Sequence, residues 1–330
     1  MMSTADGSLK SDGAATTGAG TDASGAYKST TQSWDGGKFT TSFRDYGGMI
    51  VFEQAFPMGV KGTTLNASDP MGARDVVSSS FPSFTKGGGD KDRGYLAFAS
   101  DMTGSGFQHG TGGIKSSLCG VKGFGPVCHF TKDLSSSVVV SSFSNFMAAS
   151  VAMQKDGSAA YGAQGSITEY PAGWALSFVI VMSPKGGVNG AFEHWGDQLL
   201  HRYGKQREMS WRDYSLTYLG YSTDNGAYYY YQTEGHAPKR GPPYTPGDTY
   251  QKTLIDVKAY ADSESIPYKY ILLDSWWYYQ GVGGGVTNWI GRPDVFPDGN
   301  DFLRNATGWP IMGHNRYVSA ASVPLPRCCS

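Results

Sequence analysis

The chain has 330 residues, enough for about two domains. Its 39% hydrophobic and 14% aromatic content can fill a core and excludes global disorder. A formal net charge of −1 excludes a polyanion as the main partner, so no nucleic acid is expected.

Residues 1–33 are mostly Ser, Thr, Gly and Ala with almost no large apolar side chain. That composition predicts a disordered low-complexity tail, because little surface is available to offset ordering entropy. From Trp34 the pattern changes to short apolar stretches broken by glycine. Strands are predicted at 38–43, 49–56, 94–98, 137–142 and 165–169. The clearest is Trp174–Met182, in which Trp174, Leu176, Phe178, Ile180 and Met182 share one face at period two. Many short strands with glycine-rich turns predict a β-sandwich domain over 34–190. Phe192, Trp195, Leu199 and Tyr203 then recur at helical spacing, with Gly204 placed to end the helix. These residues predict a linker helix within 191–213.

From residue 214 strands and helices alternate. A strand is predicted at 216–221. Asp248 and Gln251 form a capping-box pattern ahead of an apolar stripe of Tyr250, Leu254, Val257 and Ala261. A nearly continuous apolar run at 268–273 reads as a strand buried on both faces. Asp298 is placed to cap a short helix through Arg304, and a third strand begins at 309–312. Three β/α units predict the first part of a (β/α)8 TIM barrel over 214–318, since a whole barrel needs about 250 residues. Residues 319–330 carry no barrel pattern and read as an aberrant tail.

In parallel α/β folds functional groups gather at the carboxyl ends of the strands. Those ends supply Asp224 and Asn225, then Asp274, Trp276 and Trp277, then His314 and Arg316. Carboxylates and amides hydrogen-bond hydroxyl pairs, and indole rings stack on the apolar face of a pyranose, so a neutral carbohydrate is the ligand they suit. Trp289 is a further ring of the same kind. Each residue also has an ordinary structural role open to it: a turn for Asp224 and Asn225, core filling for the tryptophans, an ion pair for Arg316. His109, Cys119, Cys128 and His129 lack a C-x-x-C pair, so no zinc site is expected. Cys119 and Cys128 either close a small loop as a disulfide or remain two free thiols. The glycines at 281 and 283–285 lack the lysine of a phosphate loop, so no cofactor is expected. No apolar run approaches the roughly 20 residues of a membrane span. The first residues lack the features of a signal peptide, and the sequons at Asn66 and Asn305 lean only slightly toward a secretory route, since short sequons occur often by chance; the compartment stays open.

Three stretches carry a resemblance: Leu219-Gly220-Tyr221-Ser222-Thr223-Asp224-Asn225-Gly226, then Leu273-Asp274-Ser275-Trp276-Trp277, then His314-Asn315-Arg316. Over roughly 43–317 the chain resembles glycoside-hydrolase-like proteins related to the α-galactosidase and raffinose synthase superfamily. The resemblance implies a β-sandwich ahead of a (β/α)8 barrel and activity on α-glycosides by a retaining mechanism. It also implies a second strand ending in two sugar-binding aspartates followed by Gly-Trp. Asp274 and Trp277 match that pattern, whereas Ser275 stands in place of the second aspartate, a departure that bears on galactose specificity. Retention requires a nucleophile and an acid/base about 5–5.5 Å apart, which the superfamily places after the fourth and sixth strands. The expectation is therefore a chain without those carboxylates, with its catalytic residues unassigned. Two other classes compete with the hydrolase reading: a non-catalytic carbohydrate-binding protein, and a structural or interaction protein.

Overall fold

The computed structural model describes residues 9–65, 77–84, 93–98, 107–111, 125–153, 159–183, 187–223, 249–275, 277–281, 285–316 and 318. The chain divides into two compact units, Met1–Arg207 and Glu208–Ser330.

The first unit carries fourteen strands among the described residues. They are β1 (Thr16–Asp22), β2 (Gly25–Trp34), β3 (Phe39–Asp45), β4 (Met49–Phe56), β5 (Val60–Lys61), β6 (Val77–Phe84) and β7 (Arg93–Phe98). There follow β8 (Phe107–Thr111), β9 (Val127–Thr131), β10 (Ser137–Ser142), β11 (Ala149–Met153), β12 (Ala159–Gln164), β13 (Glu169–Tyr170) and β14 (Trp174–Met182). One antiparallel sheet runs β1-β2-β3-β4-β14-β10-β9-β7-β8; a smaller one runs β11-β12-β6, and β13 pairs with β5. Helix α1 (Val188–Arg202) completes the unit.

β14 lies at the centre of this arrangement and is covered on both sides. Leu176 and Phe178 pack with Phe56, Val151, Tyr161 and Ala163, which joins the large sheet to the small one. Val179 and Val181 pack on the opposite side with Met49, Val51 and the α1 residues Trp195 and Leu199. The expected apolar face of β14 is therefore present, and the alternate set is buried as well because α1 lies across the outer face. The Trp195 indole N–H donates to Ser141 Oγ at 2.9 Å, and the Tyr203 hydroxyl donates to the Phe143 carbonyl at 2.8 Å. These two bonds seat the helix. Tyr203 is its C-cap, followed by Gly204 in the left-handed region at φ 59°.

Two expectations are corrected in this unit. Residues 16–33 are not a disordered tail: they form the β1–β2 hairpin, paired in unbroken register from Thr16↔Thr31 to Asp22↔Gly25. Composition undercounts such a segment, because backbone ladders and β-branched threonines stabilise it without large apolar side chains. Charge and ring contacts fasten it to the sheet. Arg44 bridges Asp22 at 3.1 Å and Glu53 at 2.9 Å and lies 5.7 Å over the Tyr27 ring. The Tyr46 hydroxyl donates to Asp22 at 2.9 Å, and burial together with that bond pushes the phenol up to about 12. Residues 165–168 are not a strand either, and of the expected span only Glu169 is, as the first residue of β13. The Ile167 N–H donates to the Gln164 carbonyl at 3.3 Å, closing a turn between β12 and β13.

Cys128 is wholly buried and free, and burial raises its thiol to about 11; Cys119 lies outside the described residues. His129, facing Tyr95 across the ladder, is held down to about 4 by burial and then by the Arg93 charge. An unfolded chain, titrating at about 6.5, takes up this proton before the folded one does. Stability should therefore be complete above about pH 6.5 and fall as the pH drops toward 4. In urea unfolding measured across that window, His129→Gln is expected to flatten the dependence. An unchanged slope would assign the acid sensitivity elsewhere.

The second unit contains α2 (Tyr214–Thr217), β15 (Gly220–Ser222), α3 (Tyr250–Ser263), β16 (Tyr270–Leu273), β17 (Tyr279–Gln280), β18 (Val286–Asn288), α4 (Gly299–Thr307) and β19 (Ile311–Gly313). β15, β16 and β19 form a parallel sheet in that order, with α3 and α4 as the crossovers. Leu254 and Ala261 of α3 and Leu303 of α4 pack on Ile271 and Leu273 of β16. A β-sandwich followed by consecutive parallel β/α units is thus present, and closure into a barrel goes beyond these three strands.

Local details differ from expectation. Leu216 and Thr217 lie in α2 instead of a strand, because the Asp213 carboxylate caps the amides of Ser215 and Leu216. The cap of α3 is Thr249, accepting from the Lys252 amide, whereas Asp248 lies outside the described residues. The Gln251 side chain reaches Asp298 instead, with Nε2 donating to Oδ2 at 2.7 Å. That bond occupies the Asp298 carboxylate, which makes no cap for α4.

Candidate functional site

Parallel pairing aligns Ser222 with Leu272, and Leu273 with Gly313. The next residues, Thr223, Asp274 and His314, therefore meet at the carboxyl end of one sheet. Thr223 is wholly buried, and both its N–H and its hydroxyl donate to the Leu272 carbonyl at 3.0 Å. The same Oγ1 accepts from the Asp274 N–H at 3.0 Å. A single threonine thus ties the end of β15 to the end of β16 and aims the aspartate. The His314 N–H donates to the Leu273 carbonyl at 2.8 Å, continuing the ladder past β19.

This backbone frame brings two side chains together. His314 Nδ1 stands 2.9 Å from Asp274 Oδ1, with the aspartate side chain 14% exposed and the imidazole 46% exposed. The contact occupies Nδ1 and leaves Nε2 as the ring nitrogen available to a ligand. Asp274 Oδ2 makes no hydrogen bond to another described residue, so it too is available. Beneath them lies Tyr278, fully buried, whose hydroxyl accepts from the Arg316 N–H at 3.2 Å. Burial pushes the Tyr278 phenol up, opposed by the Arg316 N–H and charge and reinforced by the Asp274 carboxylate. Tyr278 is thus within electrostatic reach of both charged groups.

Asp274 and His314 are thus in contact, and the Arg316 backbone lies against the Tyr278 hydroxyl. Trp277 is not a ring offered to a ligand: it is 3% exposed and packed 4.7 Å from Trp289 and 5.3 Å from Tyr278. The reason lies in β19. A Cβ at Gly313 would stand 3.1 Å from both indoles, so this position lets the rings close under the strand. Ser275 is 2% exposed and turned inward. Asp224, Asn225 and Trp276 lie outside the described residues. Thr223 and Tyr278 escaped the sequence reading, because nothing local separates a buried strand-end hydroxyl from an exposed turn residue. Among the described residues no group of three or more His, Cys, Asp or Glu side chains is placed to hold a metal ion. Nor is any of their helices long and apolar enough to cross a membrane.

No family model and no curated protein matches the chain. Among solved structures it is similar to a β-arabinopyranosidase at 10% identity and a TM-score of 0.35, with 93% of this chain and 58% of that one covered. It is also similar to a glycoside hydrolase family 97 enzyme from Pseudoalteromonas sp. strain K8. Its complex with acarbose matches at 9% identity and a TM-score of 0.37, covering 80% of this chain and 38% of that one. A variant in complex with panose matches at 9% identity and a TM-score of 0.36, covering 80% and 39%. The chain spans less than two thirds of the length of these structures, and those it is similar to are glycoside hydrolases.

Proposed function

We propose that this chain is a glycoside-hydrolase-like protein that holds a neutral sugar at the carboxyl ends of β15, β16 and β19. The observation that carries the reading is the Asp274–His314 pair, seated on Thr223 where neighbouring parallel strands end. Oδ2 of Asp274 accepts from one sugar hydroxyl while His314 Nε2 binds the next, and the exposed Arg316 adds donors at the rim. Because Oδ1 is committed to the imidazole, Asp274 suits hydroxyl recognition better than attack on an anomeric carbon. The ancestry we propose is a retaining α-glycosidase, with Asp274 on the binding side of that chemistry.

Calorimetric titration with galactose, glucose, mannose, xylose and arabinose tests the reading, alongside incubation with p-nitrophenyl α-glycosides. One epimer is expected to bind with a millimolar Kd, about 4 kcal/mol, without release of nitrophenol. Absence of heat with every sugar would overturn sugar recognition. Nitrophenol release above a mock preparation would overturn the assignment of Asp274 to binding alone.

A further inference from the structure

The β1 strand ends the large sheet, and its outer edge faces solvent: Thr16, Thr17, Gly18, Ala19 and Thr21 are exposed. Natural edges are usually blunted by lysine, proline, a bulge or an inward charge. β1 has no lysine, proline or bulge, and its one inward charge sits at the hairpin end. It pairs with β2 over seven residues without a break in register, and its sole charge, Asp22, is tied back to Arg44 at 3.1 Å.

The loop joining β1 to β2 decides which groups the edge presents. Asp22 pairs with Gly25 across a two-residue connection, and the residues flanking such a loop form a hydrogen-bonded pair. Alternation then turns the N–H and C=O groups of Gly20, Gly18 and Thr16 toward β2. Those of Thr17, Ala19 and Thr21 point outward. These three residues form the centre and two ends of a near-palindrome, Thr17-Gly18-Ala19-Gly20-Thr21.

We propose that β1 is a self-association edge, pairing antiparallel with β1 of a second copy about a two-fold axis through Ala19. In that register Ala19 meets Ala19 of the other copy, and Thr17 meets Thr21 on either side. Every outward N–H of the three residues faces an outward C=O, closing three hydrogen-bonded pairs. Threonine opposite threonine is a favourable cross-strand pair, and the two Asp22 carboxylates lie at opposite ends, so no like charges meet. The contact is isologous, as a closed dimer requires. One strand pair buries less than a standard interface, so the association is weak and concentration-dependent. This inference stands on the first unit alone and is independent of sugar binding.

Sedimentation equilibrium of the full chain from about 10 μM to about 1 mM is the test. The average mass is expected to rise from 35.4 kDa toward twice that value. Ala19→Pro removes the outward N–H at the axis without touching the β1–β2 ladder, and Ala19→Lys sets two ammonium groups opposite each other. Both should remain monomeric. Ala19→Cys supplies a positive readout, since Cα atoms of a hydrogen-bonded pair stand about 5.5 Å apart, within disulfide reach. Mild oxidation should yield a reducible dimer from Ala19→Cys and not from Thr16→Cys or the unmodified chain. A wild-type mass fixed at the monomer value, absence of the Ala19→Cys dimer, or Ala19→Pro dimerising as well as wild type would each overturn the proposal.

Discussion

Replacing Asp274 with Asn should weaken sugar binding by about 10- to 100-fold while leaving the fold intact. A hydrogen bond to a charged group is worth about 1.5–3 kcal/mol net, and tenfold in affinity is about 1.4 kcal/mol. Two such contacts depend on this carboxylate, one to the ligand and one to His314 at 2.9 Å. Asn keeps the shape and retains the backbone N–H that donates to Thr223 at 3.0 Å, so the strand end stays in place. The check is calorimetric titration of the epimer that the wild type binds, with circular dichroism as the control for folding. A double-mutant cycle with His314→Gln should show coupling above about 0.5 kcal/mol, because the two side chains stand 2.9 Å apart. Equal affinity of wild type and Asp274→Asn would remove the aspartate from the site.

Phe178→Ala should be the most damaging single truncation in the first unit, at about 3–5 kcal/mol. Phe178 is 2% exposed, pairs with Phe52 across the β14–β4 ladder and lies 5.5 Å from the Tyr161 ring of the small sheet. Its removal opens a cavity between two sheets that cannot both move inward, since α1 braces β14 from behind. Urea unfolding followed by hydrogen exchange of the β4, β14 and β10 amides measures the effect. Loss of protection along those three strands is expected, whereas Thr17→Ala on the exposed β1 edge should leave it unchanged. A cost below about 1 kcal/mol would mean that the sheets close over the gap.

The sequence made some of this architecture legible and concealed the rest for identifiable reasons. Period-two alternation located β14 to the residue, and helical spacing located α1 and the stripe of α3, because local spacing records the faces along which each element packs. Asp274 stood out in the sequence because a charge directly after apolar strand residues is costly unless it is solvated or used. What stayed hidden depends on the partner rather than the segment. The β1–β2 hairpin carries few large apolar side chains and acquires its order from β3 and from Arg44. Asp298 is the N-cap residue of α4 but its side chain makes no cap bond and instead accepts from Gln251, remote in sequence. Trp277 reads as a ligand ring until Gly313 is seen to make room for it beneath the sheet.

That last arrangement has a bearing on how ligand preference can change. His314 follows Gly313 directly, and a Cβ at Gly313 would stand 3.1 Å from the indoles of Trp277 and Trp289, so under the proposed function the imidazole's height above the sheet is gauged by buried rings. Variation in those rings would tilt the histidine through the backbone while every ligand-facing residue stayed the same. Selection for a new epimer would then find its changes one layer below the surface, among side chains whose only outward signature is their size.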